Sequence, residues 1–247
     1  MMRLIALAAL CCAVLFPNLV AAQPLDRGMQ RLCIKAEQRT FTPSSRTTSS
    51  DELLGVISRS ADPVAIRVAL GKSDPNARIG TTGTTGLIHA AASGNWVAVK
   101  TLLDAGADID RRSAGDATAL EMAILNNRLG IACKLIQHGA AVPGPQDGKQ
   151  YLLPMAAVTE ELEDAVIFID FLIGHGYDVN AVLPTNQDTA LLIAAEMGNE
   201  KLVKLLVEQG ADLTHRNGKN ETALMVARRA GQKRIAELLF RYESRIK

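Results

Sequence analysis

Histidine and cysteine, the residue types that most often carry chemistry, are few and scattered in this sequence. There are four of each, and His89, His138, His175 and His215 lie at least 37 residues apart. The sequence has no C-x-x-C pair, no H-E-x-x-H or G-x-S-x-G motif and no phosphate-binding glycine loop. We therefore expect no catalytic centre, no bound metal and no cofactor, and we interpret the histidines as solvated side chains.

Two of the cysteines could form a structural bond. Cys11 and Cys12 lie in an apolar run at the N-terminus, whereas Cys33 and Cys133 are 100 residues apart in the body of the chain. In an oxidising compartment the latter two can pair. Such a bond would contribute about 4 to 5 kcal/mol in the chain-entropy model. Two unpaired thiols are equally compatible with the sequence, so both alternatives stay open.

The first 22 residues resemble an export signal. A short basic start precedes an apolar run over residues 4–16, and Val20 and Ala22 are small enough for the pockets of a signal peptidase. An uncleaved membrane anchor is the alternative, but a spanning helix needs about 20 apolar residues. We predict a signal peptide over residues 1–22 and, from its style, a periplasmic location, with secretion as the alternative.

Composition and charge favour a soluble helical protein. Apolar residues make up 48% of the chain, aromatic residues only 4%, and the net charge is +1. Small and aliphatic side chains suit closely packed helices. Residues 47–215 are acidic overall and residues 216–247 are basic, which can orient an approaching partner. A basic cluster at one end, with few aromatics around it, argues against nucleic acid as that partner.

A Thr/Ser-rich stretch separates the N-terminus from the rest of the chain. It covers residues 40–50 and contains Pro43, a composition typical of a linker. We therefore predict a flexible segment over residues 23–50, with the folded domain beginning near Asp51.

From that point the sequence repeats itself, and such repeats decide the fold. The copies open with T-G-L-I-H-A-A, T-A-L-E-M-A, Y-L-L-P-M-A-A, T-A-L-L-I-A-A and T-A-L-M-V-A. Thr can cap a first helix, the Ala pair lets helices approach closely, and a glycine that closes each of the first four copies can adopt the left-handed C-cap conformation. The copies begin 33, 33, 38 and 33 residues apart, at Thr85, Thr118, Tyr151, Thr189 and Thr222.

These motifs resemble the ankyrin repeat, a 33-residue unit of a β-turn and two helices that opens with T-P-L-H-x-A. The resemblance covers roughly residues 51–243, and with the export signal it indicates an exported bacterial member of the family. It implies an all-α solenoid with finger-like hairpin loops, over residues 51–247. We assign a degenerate cap to 51–80 and repeats to about 81–113, 114–146, 147–184, 185–217 and 218–247.

The third copy departs most from the pattern. It carries about five extra residues, beginning near the acidic Glu160, and Pro154 stands where the motif has His. The other copies have Ile88, Glu121, Leu192 and Met225 at that position. We expect a longer or distorted helix pair in the third copy, and we would look for a partner there first.

In ankyrin arrays the fingers and the exposed side of each first helix form a concave binding surface. Carried over to this sequence, an apolar centre of Leu125, Val158 and Met197 has polar residues around it, as protein interfaces do. The remaining first-helix contact positions are Asn126, Thr159, Glu196 and Arg229. The finger positions are Arg111, Arg112, Asp116, Asn186, Asp188, His215 and Lys219.

The resemblance implies a non-catalytic protein-interaction module, monomeric when free. We expect it to bind and mask a periplasmic enzyme, as an immunity protein does with a lipase or a murein hydrolase. The alternatives are a scaffold or chaperone-like factor that supports an enzyme, for example in oxidative-stress defence, and a secreted protein that binds a host protein. After signal cleavage we expect no membrane attachment.

Overall fold

A computed structural model describes residues 25–38, 52–71, 73–80 and 82–246. The predicted signal peptide and the whole Thr/Ser-rich stretch lie outside these residues. The described part is mostly helical. Its helices are α1 (Arg27–Gln38), α2 (Glu52–Arg59), α3 (Pro63–Leu70), α4 (Gly86–Ser93), α5 (Trp96–Asp104), α6 (Ala119–Leu125), α7 (Leu129–Gln137), α8 (Leu152–Ala156), α9 (Leu162–Gly174), α10 (Ala190–Met197), α11 (Glu200–Glu208), α12 (Ala223–Arg229) and α13 (Lys233–Ile246).

The helices from α2 onward stack as six pairs. The pair α2–α3 is the degenerate cap, and the five pairs from α4–α5 to α12–α13 are called here units 1 to 5. First helices contact first helices along one row, and second helices form the other row. Between the cap and unit 1, the short antiparallel strands β1 (Arg78–Ile79) and β2 (Thr84–Thr85) make the first finger. The predicted repeat solenoid is confirmed.

Four of the five units begin with the predicted threonine cap. The side chains of Thr85, Thr118, Thr189 and Thr222 each accept a hydrogen bond from the backbone N–H three residues later, at 3.2 to 3.4 Å. Such a cap contributes about 1 kcal/mol. Tyr151 provides no side-chain cap in unit 3, which is one reason why α8 is the shortest helix among the described residues.

Neighbouring fingers are tied together by four side-chain oxygens along the array. Each of these oxygens accepts a hydrogen bond from a backbone N–H of the next finger, at 2.6 to 3.0 Å. The fingers therefore keep a fixed register along the array. The acceptors are Asn76, Asp110, Gln150 and Asn180, and the donors are Asp108, Ala141, Asp178 and Asp212.

Unit 3 has the expected distortion. Its first helix, α8, has 5 residues, and its second helix, α9, has 13. The extra acidic residues lengthen the start of α9 rather than a finger. Their side chains lie next to α1, because Lys35 Nζ is 2.8 Å from Asp164 Oδ1 and 3.2 Å from Glu161 Oε2. The irregular unit thus holds part of this chain itself.

The prediction of a flexible segment over residues 23–50 is wrong for residues 27–38, which form α1. This helix packs across α7 and α9 on the outer row, and its Met29 and Leu32 are buried. The approach is close at Gly130 of α7, where a Cβ would lie 2.6 Å from the Cβ of Ala36. Apolar residues recur with a helical period in this segment, and this pattern could have predicted α1. The linker-like composition of the residues that follow it led to the wrong prediction.

A disulfide bond fastens α1 to the array. Cys33 of α1 and Cys133 of α7 are paired, with 5.4 Å between their Cα atoms. Both cysteines are fully buried. Of the two alternatives that the sequence left open, the structure has the disulfide, and the bond closes a loop that includes the cap, unit 1 and most of unit 2.

Replacing both Cys33 and Cys133 by serine is expected to lower the free energy of unfolding by about 2 to 5 kcal/mol, because the unfolded chain loses a 100-residue constraint. Urea unfolding measures this change. Dithiothreitol should destabilise the parent protein by a similar amount and leave the double variant unchanged. Equal stability of the oxidised parent and the double variant would contradict the structural role of the bond.

His89 is an exception to the interpretation of the histidines as solvated. It is half-buried, and its Nε2 lies 2.7 Å from Ser58 Oγ in the cap. The Ser58 hydroxyl donates to the Leu54 carbonyl, so the His89 Nε2–H donates to Ser58 Oγ. Burial lowers the pKa of His89 below its ordinary value of 6.5.

The free energy of unfolding should therefore fall as the pH drops below about 6.5. His89 then binds a proton in the unfolded chain, whereas its lowered pKa keeps it neutral in the folded protein. The His89→Gln variant should lose part of this dependence. We expect the difference in free energy of unfolding between parent and variant to narrow between about pH 7.5 and 5.5, as urea titrations at each pH will show. A constant difference across this range would refute the assignment.

Candidate protein-binding surface

The row of first helices and the fingers forms the inner face of the array. At both ends of the array, neighbouring first helices contact one another more extensively than neighbouring second helices do. The stack therefore curves toward the first helices. A curved row of short helices flanked by ordered loops is the usual binding surface of a solenoid.

Part of the predicted contact set is exposed on this face. Asn126, Val158, Glu196 and Arg229 are solvent-exposed at the ends of their first helices. Thr159 is not exposed. Its side chain is buried, with 2% of its surface exposed, and its Oγ1 accepts a hydrogen bond from the Glu161 backbone N–H. The prediction of a contact role for Thr159 is therefore wrong. A tight turn after α8 pulls this residue inward.

The predicted apolar centre is less exposed than expected. Val158 has 41% of its surface exposed, whereas Leu125 and Met197 pack against the hydrophobic core as half-buried side chains. Among the described residues of the inner face, the three do not form a wide apolar patch. The face is more polar than the sequence suggested, and its specificity must come largely from charged and hydrogen-bonding groups.

Five of the predicted residues surround one pocket between the fingers of units 4 and 5. This pocket, called here the unit 4–5 pocket, has a volume of about 360 Å³. The buried side chains of Leu192 and Val226 form its floor. The predicted residues that line it are Asn186, Asp188, Glu196, Lys219 and Arg229.

Hydrogen bonds between the two fingers hold this pocket in shape. The Gly218 N–H donates to the Asn186 carbonyl at 2.7 Å, and Asn217 Nδ2 donates to Asp188 Oδ1 at 2.8 Å. His215 contributes to the same connection, because its Nε2 lies 2.8 Å from the Gln187 carbonyl oxygen. His215 therefore ties the fingers to each other, and its predicted contact with a partner would add to that role.

Arg229 is held by two carboxylates at the edge of the pocket. Its Nε is 2.9 Å from Glu221 Oε1, and its Nη1 is 3.3 Å from Glu196 Oε1. The hydrogen bonds to Glu221, and then those to Glu196, raise the pKa of the guanidinium. Arg229 and Glu196 are exposed to solvent, so these ion pairs order the side chains more than they stabilise the fold.

A second charged cluster lies under the fingers of units 2 and 3. Glu121 is fully buried, and its Oε2 lies 3.0 Å from Lys149 Nζ, with Arg112 Nη1 4.0 Å from Oε1. Arg112 also bonds to Asp116 at 3.1 Å. Of the predicted finger contacts, Arg112 approaches this buried carboxylate from an exposed position, while Arg111 and Asp116 are exposed.

Sequence reasoning did not identify Lys149 and Tyr177 as part of this cluster. Tyr177 is buried, and its pKa is raised by burial and by the charge of Glu121. Two departures from the repeat could have shown the cluster: Glu121 replaces the motif's His, and Tyr177 replaces the Ala that follows the closing Gly in the other copies. Both are larger or more polar than the residues they replace, and the structure brings them near each other.

Neither a metal centre nor a spanning helix is found in the described part of the chain. No three His, Cys, Asp or Glu side chains there are grouped to hold a metal ion. Likewise, none of its helices is long and apolar enough to cross a membrane.

Stacked helix pairs with ordered fingers define the class of the protein as a helical repeat solenoid. A family model described as ankyrin repeats in three copies matches residues 55–145 and 155–247. The chain belongs to the ankyrin repeat family. Ankyrin arrays are interaction modules that bind other proteins.

Two of the relatives are much longer proteins. The Ankyrin repeat and KH domain-containing protein mask-1 of Caenorhabditis elegans is 30% identical over 161 residues, which are 65% of this chain and 6% of that protein. The mouse B-cell lymphoma 3 protein homolog is 30% identical over 190 residues, which are 75% of this chain and 40% of that protein. The chain thus spans less than half the length of these relatives.

A solved structure matches over nearly its whole length. One chain of the complex of a predatory endopeptidase from Bdellovibrio bacteriovorus with an immunity protein is 29% identical to this chain. The match has a TM-score of 0.57 and covers 78% of this chain and 99% of the other. Unlike the long relatives, the matched chain is similar in extent to this one.

The buried Glu121–Lys149 pair allows a test of how the inner face is held. Lys149→Met should lower the free energy of unfolding by about 3 kcal/mol, because it leaves Glu121 buried without its nearest cation. The double variant Glu121→Leu/Lys149→Met should recover most of this loss, since leucine already occupies the same motif position at 192. Urea unfolding of the single and double variants measures both effects.

The exposed pair Lys204–Glu200 is the matched control for this cycle. Lys204→Met should change stability far less than Lys149→Met, because water screens an exposed pair. If the two single variants were equally stable, or if the double variant were as unstable as Lys149→Met, the proposed role of the buried pair would be wrong.

Proposed function

We propose that this protein is a periplasmic inhibitor that binds a hydrolytic enzyme with its inner face and masks the enzyme's active site. The observation that carries the proposal is the match to a chain of the endopeptidase–immunity protein complex, which covers 99% of that chain. We infer that the matched chain is the immunity protein of that complex, because it shares a repeat fold that belongs to interaction modules. An endopeptidase, including a murein-cleaving one, is the leading candidate for the partner, and a lipase is a further one.

The proposed location rests on two features of the chain. Residues 1–22 have the pattern of an export signal, and Cys33 is bonded to Cys133. Structural disulfides persist in oxidising compartments such as the bacterial periplasm and are rare in the cytosol. An inhibitor placed there would protect the cell from its own exported hydrolase.

Masking an active site requires a large and ordered contact surface rather than a catalytic group on the inhibitor. A stable complex buries about 1,600 Å² in total, which an inner face made of five units can provide. The finger-to-finger hydrogen bonds and the Glu121–Lys149 pair order this face before binding. A preorganised surface loses less conformational freedom on association, and this favours tight binding.

The test begins with capture of the partner on the purified, exported chain from the periplasm of the producing bacterium. The captured protein is then purified and its hydrolytic activity is titrated with the chain. We expect a hydrolase whose activity falls to a small residual level at a 1:1 ratio. Glu196→Arg should weaken the inhibition at least about tenfold, because it places a like charge beside Arg229 on the inner face.

Glu208→Arg is the control, since Glu208 is an exposed glutamate on the outer row and its reversal changes the net charge equally. It should inhibit as the parent does. Capture of a hydrolase that stays fully active when bound would instead favour a supporting role. Recovery of no hydrolase, or equal effects of Glu196→Arg and Glu208→Arg, would overturn the proposal.

A further inference from the structure

The unit 4–5 pocket has the size and lining of a site for a single side chain. Its volume of about 360 Å³ lies at the low end of the range for ligand sites. Leu192 and Val226 make an aliphatic floor, and polar groups stand at the walls. The finger bond from Gly218 N–H to the Asn186 carbonyl closes one side, so the pocket is formed before any partner arrives.

The walls of the pocket have negative charge that the described residues only partly neutralise. Arg229 is occupied by Glu221 through two bonds, Nε to Oε1 at 2.9 Å and Nη2 to Oε2 at 3.3 Å. Its remaining contact with Glu196 is at 3.3 Å and reaches only Oε1. Glu196 Oε2 therefore keeps the capacity to accept hydrogen bonds from another donor.

Asp188 is neutralised even less. Its carboxylate accepts hydrogen bonds from the side-chain amides of Asn186 and Asn217, which carry no charge. Within the described part of the chain, Asp188 makes no ion pair. Lys219, an exposed side chain, also lines the pocket. Glu221 lies outside the pocket lining but pairs with Arg229, so the two lining carboxylates are opposed mainly by Lys219.

We propose that this pocket binds a cationic side chain, preferably arginine, presented on a loop of the partner protein. This assignment deepens the proposed function and rests on it. The aliphatic stem would lie on Leu192 and Val226, and the guanidinium would donate to Asp188 and Glu196. A planar guanidinium matches carboxylates in a two-bond geometry that an ammonium group lacks, and arginine is among the residues that most often anchor interfaces.

An anionic ligand fits the pocket less well. Arg229 would have to leave Glu221 and Glu196 to bind it, and Asp188 would repel it, so only Lys219 at the wall could pair with it. A purely apolar side chain could rest on the floor, but it would cover the Asp188 carboxylate and remove it from water without a compensating bond. The cationic side chain is the ligand class that satisfies the floor and the walls together.

The probe for this proposal is Nα-acetyl-arginine amide, titrated into the 15N-labelled, exported chain at low ionic strength and followed by amide chemical shifts. We expect saturable shifts confined to the amides of Asn217, Gly218 and Leu192, with a dissociation constant in the millimolar range. Nα-acetyl-citrulline amide, which has the same shape without the charge, should bind at least about threefold more weakly. Nα-acetyl-glutamate amide should produce no localised shifts.

Two variants test the residues. Glu196→Gln and Asp188→Asn should each weaken arginine binding about threefold or more, while Glu208→Gln on the outer row should leave it unchanged. Glu196 is exposed and makes no finger bond with its side chain, so this variant stays informative if Asp188→Asn disturbs the fingers, a disturbance that the spectrum itself reports. Equal binding of arginine and citrulline derivatives, stronger binding of the glutamate derivative, or parent-like binding by Glu196→Gln would overturn the proposal.

The two proposals can fail separately. The titration uses no enzyme, so its failure leaves the inhibition result untouched. If arginine binds in the pocket but the captured hydrolase is not inhibited, the pocket is a site for a cationic side chain in another interaction, and the masking role is wrong.

Discussion

A pair of short helices cannot bury its own apolar face, and every feature of this molecule follows from that constraint. Each unit covers the face of the next, so stability depends on contacts between neighbours rather than on a central core. Fully buried alanines such as Ala90, Ala91, Ala194 and Ala195 let first helices approach closely. That close approach on one side curves the stack, and the curvature brings the fingers and the inner face together as one surface.

The same constraint explains why α1 lies where it does. Unit 3 has a shortened first helix and a lengthened second helix, so its outer surface does not match that of unit 2. Met29 and Leu32 of α1 are buried where this helix packs against α7 and α9, and Lys35 pairs with the acidic start of α9. The insertion in the third repeat, which looked like a place for a foreign partner, is occupied by the chain's own N-terminal helix. A partner is consequently directed to the inner face.

The repeats, the threonine caps and the distorted third unit could be predicted because each depends on a local pattern with a fixed period. The location of α1 could not, because it depends on packing between residues about 100 positions apart, and a linker-like composition follows it directly. The exposure of the contact residues was predicted only in part. Leu125 and Met197 are the last residues of α6 and α10, and Thr159 lies in the turn after α8. A repeat alignment does not determine which way these residues face, whereas Asn126, Glu196 and Arg229, also near the ends of first helices, are exposed as predicted.

The two charged clusters divide the inner face into parts with different physical roles. At units 2 and 3, Glu121 is buried, Lys149 is paired with it, and Arg112 approaches it from the surface, so part of that charge is already paired within the chain. At units 4 and 5, Asp188 and Glu196 face an open pocket and keep unused acceptor capacity. The inner face is thus ordered at its middle and has carboxylates with free acceptor capacity toward one end. Such a surface can hold a loop of a partner in one position, which is what masking an active site requires.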